Sequence, residues 1–154
     1  MADVTVDILV SLVSYKSWLT TSYIATTLVG ANGTPLILNN ELGPDQEDAF
    51  TSFMDEASRE VLKVFVSRQG DVTGSPFVKS ATNATYKFNE ETPALPQAAA
   101  IKDSLNEDVK NALFTYVTFL WLKIKKNDEQ AQYVIDRYQK LTKNIDNHLY
   151  KLHD

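Results

Sequence analysis

Apolar residues recur every three or four positions through the last third of the chain. Ala131, Val134, Tyr138, Leu141, Ile145, Leu149 and Leu152 mark one face of a long amphipathic helix. Asp136, Arg137, Lys140, Lys143, Asp146 and Asn147 fall mostly off that face. Before it, Ile101, Leu105, Val109, Ala112 or Leu113, Tyr116, Leu120 and Ile124 predict a second helix. Its start is set either by Pro96 at the first helical position or by the capping-box pattern Ser104-Leu-Asn-Glu107. The unbroken run Ala98–Ile101 favours the earlier start. Asn127 suits a left-handed C-terminal position and Asp128 can cap the next helix. So short a connection makes the two helices an antiparallel hairpin.

The middle of that second helix, NALFTYVTFLWLKIKK (111–126), is apolar nearly all round. The stripe Leu113, Tyr116, Leu120 and Ile124 is expected to face the last helix. Phe114, Val117 and Trp121 are expected to face the rest of the core. The surplus over one stripe makes Phe114, Tyr116, Phe119 and Trp121 either core or subunit-interface residues. The apolar run is near ten residues and ends in Lys123, Lys125 and Lys126, which suits a buried helix and not a membrane span.

Another helix is predicted from about Asp45 to Arg68. Pro44 and the acids Asp45, Glu47 and Asp48 are a start signal, because carboxylates favour the positive end of the helix dipole. Phe50, Phe53 or Met54, Ala57, Val61 and Val64 or Phe65 form its core face, and Gly70 ends it. The N-terminal stretch reads two ways. Val4, Val6, Ile8 and Val10 alternate as in a strand, whereas Ile8, Leu12, Tyr15, Leu19 and Tyr23 keep helical spacing. The helical reading, over about 5–28, is preferred. Residues 70–93 break the helical pattern. Phe77 and Val78 precede a polar tip, and Tyr86 and Phe88 alternate with Lys87, which fits a β-hairpin-like arm. The expected fold is all-α: a single domain over 1–154, an antiparallel bundle of about four helices with that arm between the second and third.

Composition narrows the chemistry. The 154 residues carry a net charge of −5, so basic residues do not dominate overall and duplex DNA binding is not favoured. No cysteine is present, which removes disulfides and thiolate chemistry. The start of the chain lacks the positive region and cleavage site of a signal peptide. His148 and His153 are five apart, off the i, i+4 spacing of a helical zinc site, and are expected on a solvated helix end. Gly30-Ala-Asn-Gly33 lacks the Lys and hydroxyl of a phosphate loop. The acids Asp45, Glu47, Asp48, Asp55 and Glu56 read as an acidic helix face without the spacing of a calcium loop. No catalytic residue, cofactor site or metal site is expected. The acidic face contrasts with Lys123, Lys125, Lys126, Arg137, Lys140, Lys143 and Lys151. In a ring, one copy's acidic face would meet the next copy's basic face, a complementarity that sets orientation and on-rate.

The order of these features resembles a known family. An acidic helix ends in DEASREVLKVFVSRQGD, an arm ends in YKFNEETPALPQAAA, and the last helix is EQAQYVIDRYQKLTKNIDNHLYKL. This looks like the small helical head–tail connector proteins (adaptor or neck-ring subunits) of tailed bacteriophages, of the kind found in crAss-like and other Bacteroides phages. The likeness spans Asp45 to Leu152 and rests on helix order and spacing. It implies a virion structural protein, made in the bacterial host cytoplasm and not an enzyme. It would form a ring, often of twelve copies, between portal and tail. The portal protein and neighbouring neck or tail proteins would be its partners. DNA would pass through without specific binding, and no membrane would be involved. The resemblance places subunit contacts on the arm, here Phe77, Val78, Tyr86 and Phe88. The alternative from composition is a small helical regulator or inhibitor that binds one partner protein.

Overall fold

A computed structural model describes residues 2–21, 44, 46–69, 73–75, 83–90, 98–126 and 128–153. Four helices among them build an antiparallel bundle: α1 (Leu12–Thr21), α2 (Glu47–Gln69), α3 (Ala98–Ile124) and α4 (Asp128–His153). Three strands accompany them: β1 (Ala2–Leu9), β2 (Thr73–Ser75) and β3 (Asn83–Glu90). The strand order is β1-β3-β2, and both pairings are antiparallel. β1 lies against α3, β2 against α2, and β3 against α2 and α4.

The helical hairpin is as its periodicity predicts. Tyr116 meets Tyr138 with ring centroids 4.9 Å apart, and Asp108 meets His148 at 2.9 Å. Rising numbers on one helix therefore meet falling numbers on the other. In the turn, Lys126 has a positive φ of 58°, and Asn127 lies outside the described residues. The Lys126 N–H reaches the Lys123 carbonyl at 3.1 Å, and the Lys125 N–H reaches the Trp121 carbonyl at 3.0 Å. A left-handed backbone crowds the Cβ of an L-residue and costs about 1–2 kcal/mol. Lys126→Gly should therefore raise the unfolding free energy by about 0.5–1 kcal/mol, the strain relief exceeding glycine's added chain entropy. Urea titration would show it, and a loss of stability would contradict this account of the turn.

The N-terminal stretch corrects the expectation of one helix over about 5–28. Ala2–Leu9 is a strand, and the helix begins only at Leu12. Residues 22–28 lie outside the described ones. The alternation of Val4, Val6 and Ile8 wins because β3 offers a partner in register: Val4 opposite Phe88, Val6 opposite Tyr86, Ile8 opposite Ala84. The change of structure is marked by a reciprocal cap. The Ser14 N–H donates to Ser11 Oγ at 3.1 Å, and the Ser11 N–H donates to Ser14 Oγ at 2.9 Å. This is a capping box with serine where glutamate is usual. Ser11→Ala should cost about 1 kcal/mol, read as a lower urea midpoint at unchanged slope.

Of the segment at 70–93, only Thr73–Ser75 and Asn83–Glu90 are described. They pair with each other, and β3 also pairs along its length with β1. An arm projecting from the bundle is not shown.

The core answers why 111–126 is so apolar. Leu113, Phe114, Thr115, Val117, Thr118 and Leu122 are all buried and cover more than half of the circumference of α3, and Tyr116, Phe119 and Leu120 on the remaining side are half-buried. α3 is thus the central helix. Its buried hydroxyl at Thr118 is satisfied twice, donating to the Phe114 carbonyl at 2.9 Å and pairing with the Tyr15 hydroxyl at 2.8 Å. Ile124 departs from the expected stripe facing α4: it is 60 % exposed at the hairpin tip.

Candidate functional site

Two places combine polar chemistry with shape. The first is a cleft of about 380 Å³ walled by three helices. α1 contributes Ser14, Ser17, Trp18 and Thr21, which share a face by their spacing of three and four. α3 contributes Glu107, Lys110, Asn111 and Thr115 by the same spacing, and α4 contributes Arg137 and Leu141. α1 is held across α3 by two side-chain bonds. Trp18 Nε1–H donates to Asn111 Oδ1 at 2.9 Å, and Tyr15 meets Thr118. Stacking of Tyr15 on Trp18, with Tyr15 edge-on and Trp18 tilted against Phe114, fixes the depth at which α1 sits. Thr115 is fully buried, and its Oγ1 has no hydrogen-bond partner. A helical threonine ordinarily turns its hydroxyl back to a carbonyl one turn earlier, as Thr118 does here.

The second place is the tip of the α3–α4 hairpin. Lys123, Ile124, Lys125 and Lys126 are all exposed there. Lys125 Nζ lies 4.7 Å from the centroid of the Trp121 ring, a cation–π contact. Trp121 is half-buried, packs edge-on against Phe53, and leaves its buried Nε1 without a partner.

The remaining expected residues fall as follows. Phe114 is core, fully buried against Tyr15 and Trp18, and Tyr15 in turn meets Phe50. Tyr116 and Phe119 are half-buried, with ring centroids 5.6 Å apart. Burial raises the Tyr116 phenol above its ordinary value, and the nearby Glu60 and Glu56 add to the shift. Glu47, Asp48 and Glu56 are exposed on α2, as an acidic face requires. That face is partly neutralised from within its own helix: Asp55 pairs with Arg59 at 3.2 Å and Glu60 with Lys63 at 2.8 Å. Asp45 lies outside the described residues, as do Phe77 and Val78. Tyr86 and Phe88 fall in β3.

His148 corrects another expectation. It is not on a solvated helix end. Its Nε2 meets Asp108 Oδ2 at 2.9 Å, both side chains are only about a fifth exposed, and Nδ1 is buried without a partner. The pair ties the last turns of α4 to α3. Asp108 precedes His148 by 40 residues, so only the antiparallel hairpin brings them together.

Among the described residues no group of three metal-capable side chains occurs, and no helix is long and apolar enough to cross a membrane. Comparison with known proteins gives no match to a family model, a curated protein or a solved structure.

Proposed function

We propose that the chain is a virion structural protein of a tailed phage, a neck-ring subunit between portal and tail. The support is the order of its elements, an acidic helix followed by a long antiparallel hairpin, which resembles that of the small connectors. The observation that carries the reading to a surface is the hairpin tip, where an exposed isoleucine, 60 % accessible, sits among three exposed lysines. An apolar centre ringed by charge is the usual anatomy of a protein interface. The acids of α2 (Glu47, Asp48 and Glu56) offer the complementary charge on a neighbouring copy. In this reading the subunit contacts extend to Phe77, Val78, Tyr86 and Phe88, copies close into a ring of about twelve, and DNA passes the mildly acidic subunit without being held. The subunit performs no catalysis.

Sedimentation of the purified protein, alone and mixed with its portal, tests the assembly, and mass spectrometry of purified virions tests the location. Ile124→Glu should abolish ring formation or portal binding while leaving the melting temperature within about 2 °C, because an exposed side chain contributes little to folding. Absence of the chain from virions would overturn the proposal. A stable monomer that binds one unrelated protein would instead favour the regulator reading.

A further inference from the structure

We infer that the cleft between α1, α3 and α4 binds a small aliphatic carboxylate. The inference does not rest on the neck-ring reading. The cavity, about 380 Å³, lies in the size range of small-molecule sites. Its polar groups converge as hydrogen-bond donors. Asn111 gives its carbonyl oxygen to the Trp18 indole, which can only donate. That bond fixes the orientation of the carboxamide and leaves its NH2 group as the free end. Lys110, one residue away, lines the same cleft and forms no ion pair among the described residues. Thr115, on the cleft wall, adds a hydroxyl that is fully buried and has no hydrogen-bond partner. A buried hydroxyl left unpaired is unfavourable, and an oxygen-bearing ligand would relieve it.

The charge of the ligand follows from the lining. Lys110 and Arg137 are cationic and Glu107 is the acid among them. An ammonium beside an amide NH2 and a hydroxyl matches a carboxylate, which accepts at two oxygens. Glu107 disfavours a multiply charged anion such as phosphate. Leu141 and the edge of Trp18 supply the apolar surface for a short alkyl chain.

Sodium butyrate is a suitable probe, with butyramide as its uncharged isostere and sodium chloride as the ionic-strength control. In a nitrogen-15 NMR titration, butyrate should shift the Trp18 Nε1–H and Asn111 Nδ2 signals saturably. Butyramide and sodium chloride should not. Lys110→Met should weaken binding at least about tenfold, the loss of one charge-assisted bond. Thr115→Val should weaken it too, without lowering the melting temperature, because a methyl replaces an unpaired hydroxyl. Equal shifts with butyramide or sodium chloride would overturn the inference. So would unchanged butyrate affinity in Lys110→Met or, should that variant not fold, in Thr115→Val.

Discussion

Phe114→Ala should lower the unfolding free energy by about 3–5 kcal/mol, the usual cost of emptying a fully buried aromatic site. The position leaves little room for collapse. The Phe114 ring lies 5.4 Å from Tyr15 and 5.5 Å from Trp18, and Tyr15 is itself 5.5 Å from Phe50. Three helices thus meet in this aromatic cluster. Removing Phe114 opens a cavity and also loosens the seat of α1, whose other described ties to α3 include two hydrogen bonds. A domain of this size is typically stable by only about 5–15 kcal/mol, so the variant should sit close to its unfolding threshold. Urea denaturation followed by circular dichroism measures the effect. Phe119→Ala supplies the comparison: the residue is half-buried, so its loss should be clearly smaller. A Phe114 effect under about 1 kcal/mol would mean that the aromatic cluster does not anchor α1.

The helical hairpin was legible because its evidence is periodic and redundant. Seven apolar positions on α4 agree on one face, and every one whose burial is described is buried. The N-terminus was harder because two periods overlap at Ile8. A strand of eight residues is decided by its partner, and β3 is some eighty residues away in sequence. Local spacing cannot show that pairing. A local sign did exist in Ser11-Leu-Val-Ser14, at the junction of strand and helix, but a cap built from two serines lacks the glutamate that makes the pattern conspicuous.

The cleft and the His148–Asp108 pair were illegible for a different reason. Their residues are ordinary one at a time. Lys110, Asn111 and Arg137 read as parts of solvated helix faces until α1 is laid across the hairpin. What places α1 there is aromatic packing on Phe114, and its spacing to α3 depends on the side chains that interdigitate, not on the period of either helix. Ile124 shows the same limit in reverse. Its spacing continues the stripe of α3, but the hairpin turns after it, so no partner helix runs alongside.

Two tyrosines make the fold sensitive to alkali, and the sign follows from burial. Tyr15 is held well above the ordinary phenol value of about 10 by complete burial, which its bond to Thr118 only partly offsets. Tyr138 is also raised, first by burial, then by the charge of Glu60 and by Tyr116. Below pH 10 both phenols are neutral whether the chain is folded or not, so their contribution is constant. Above it the unfolded chain releases protons that the folded chain keeps. Stability then falls by about 1.4 kcal/mol per pH unit for each such group. The loss continues until the pH passes the raised folded values. Two groups together remove about 5 kcal/mol by pH 12, comparable with the whole stability of many domains. Cooperative unfolding is therefore expected between about pH 10 and 12. Tyrosinate absorbance should rise in the same step as helical circular dichroism is lost. Tyr15→Phe isolates one contribution. Thr118 keeps its bond to the Phe114 carbonyl in that variant. The cost at neutral pH should be about 1 kcal/mol, while the alkaline midpoint moves upward relative to the neutral-pH stability. An alkaline transition of unchanged steepness in Tyr15→Phe would show that the buried phenol is not one of the groups driving it.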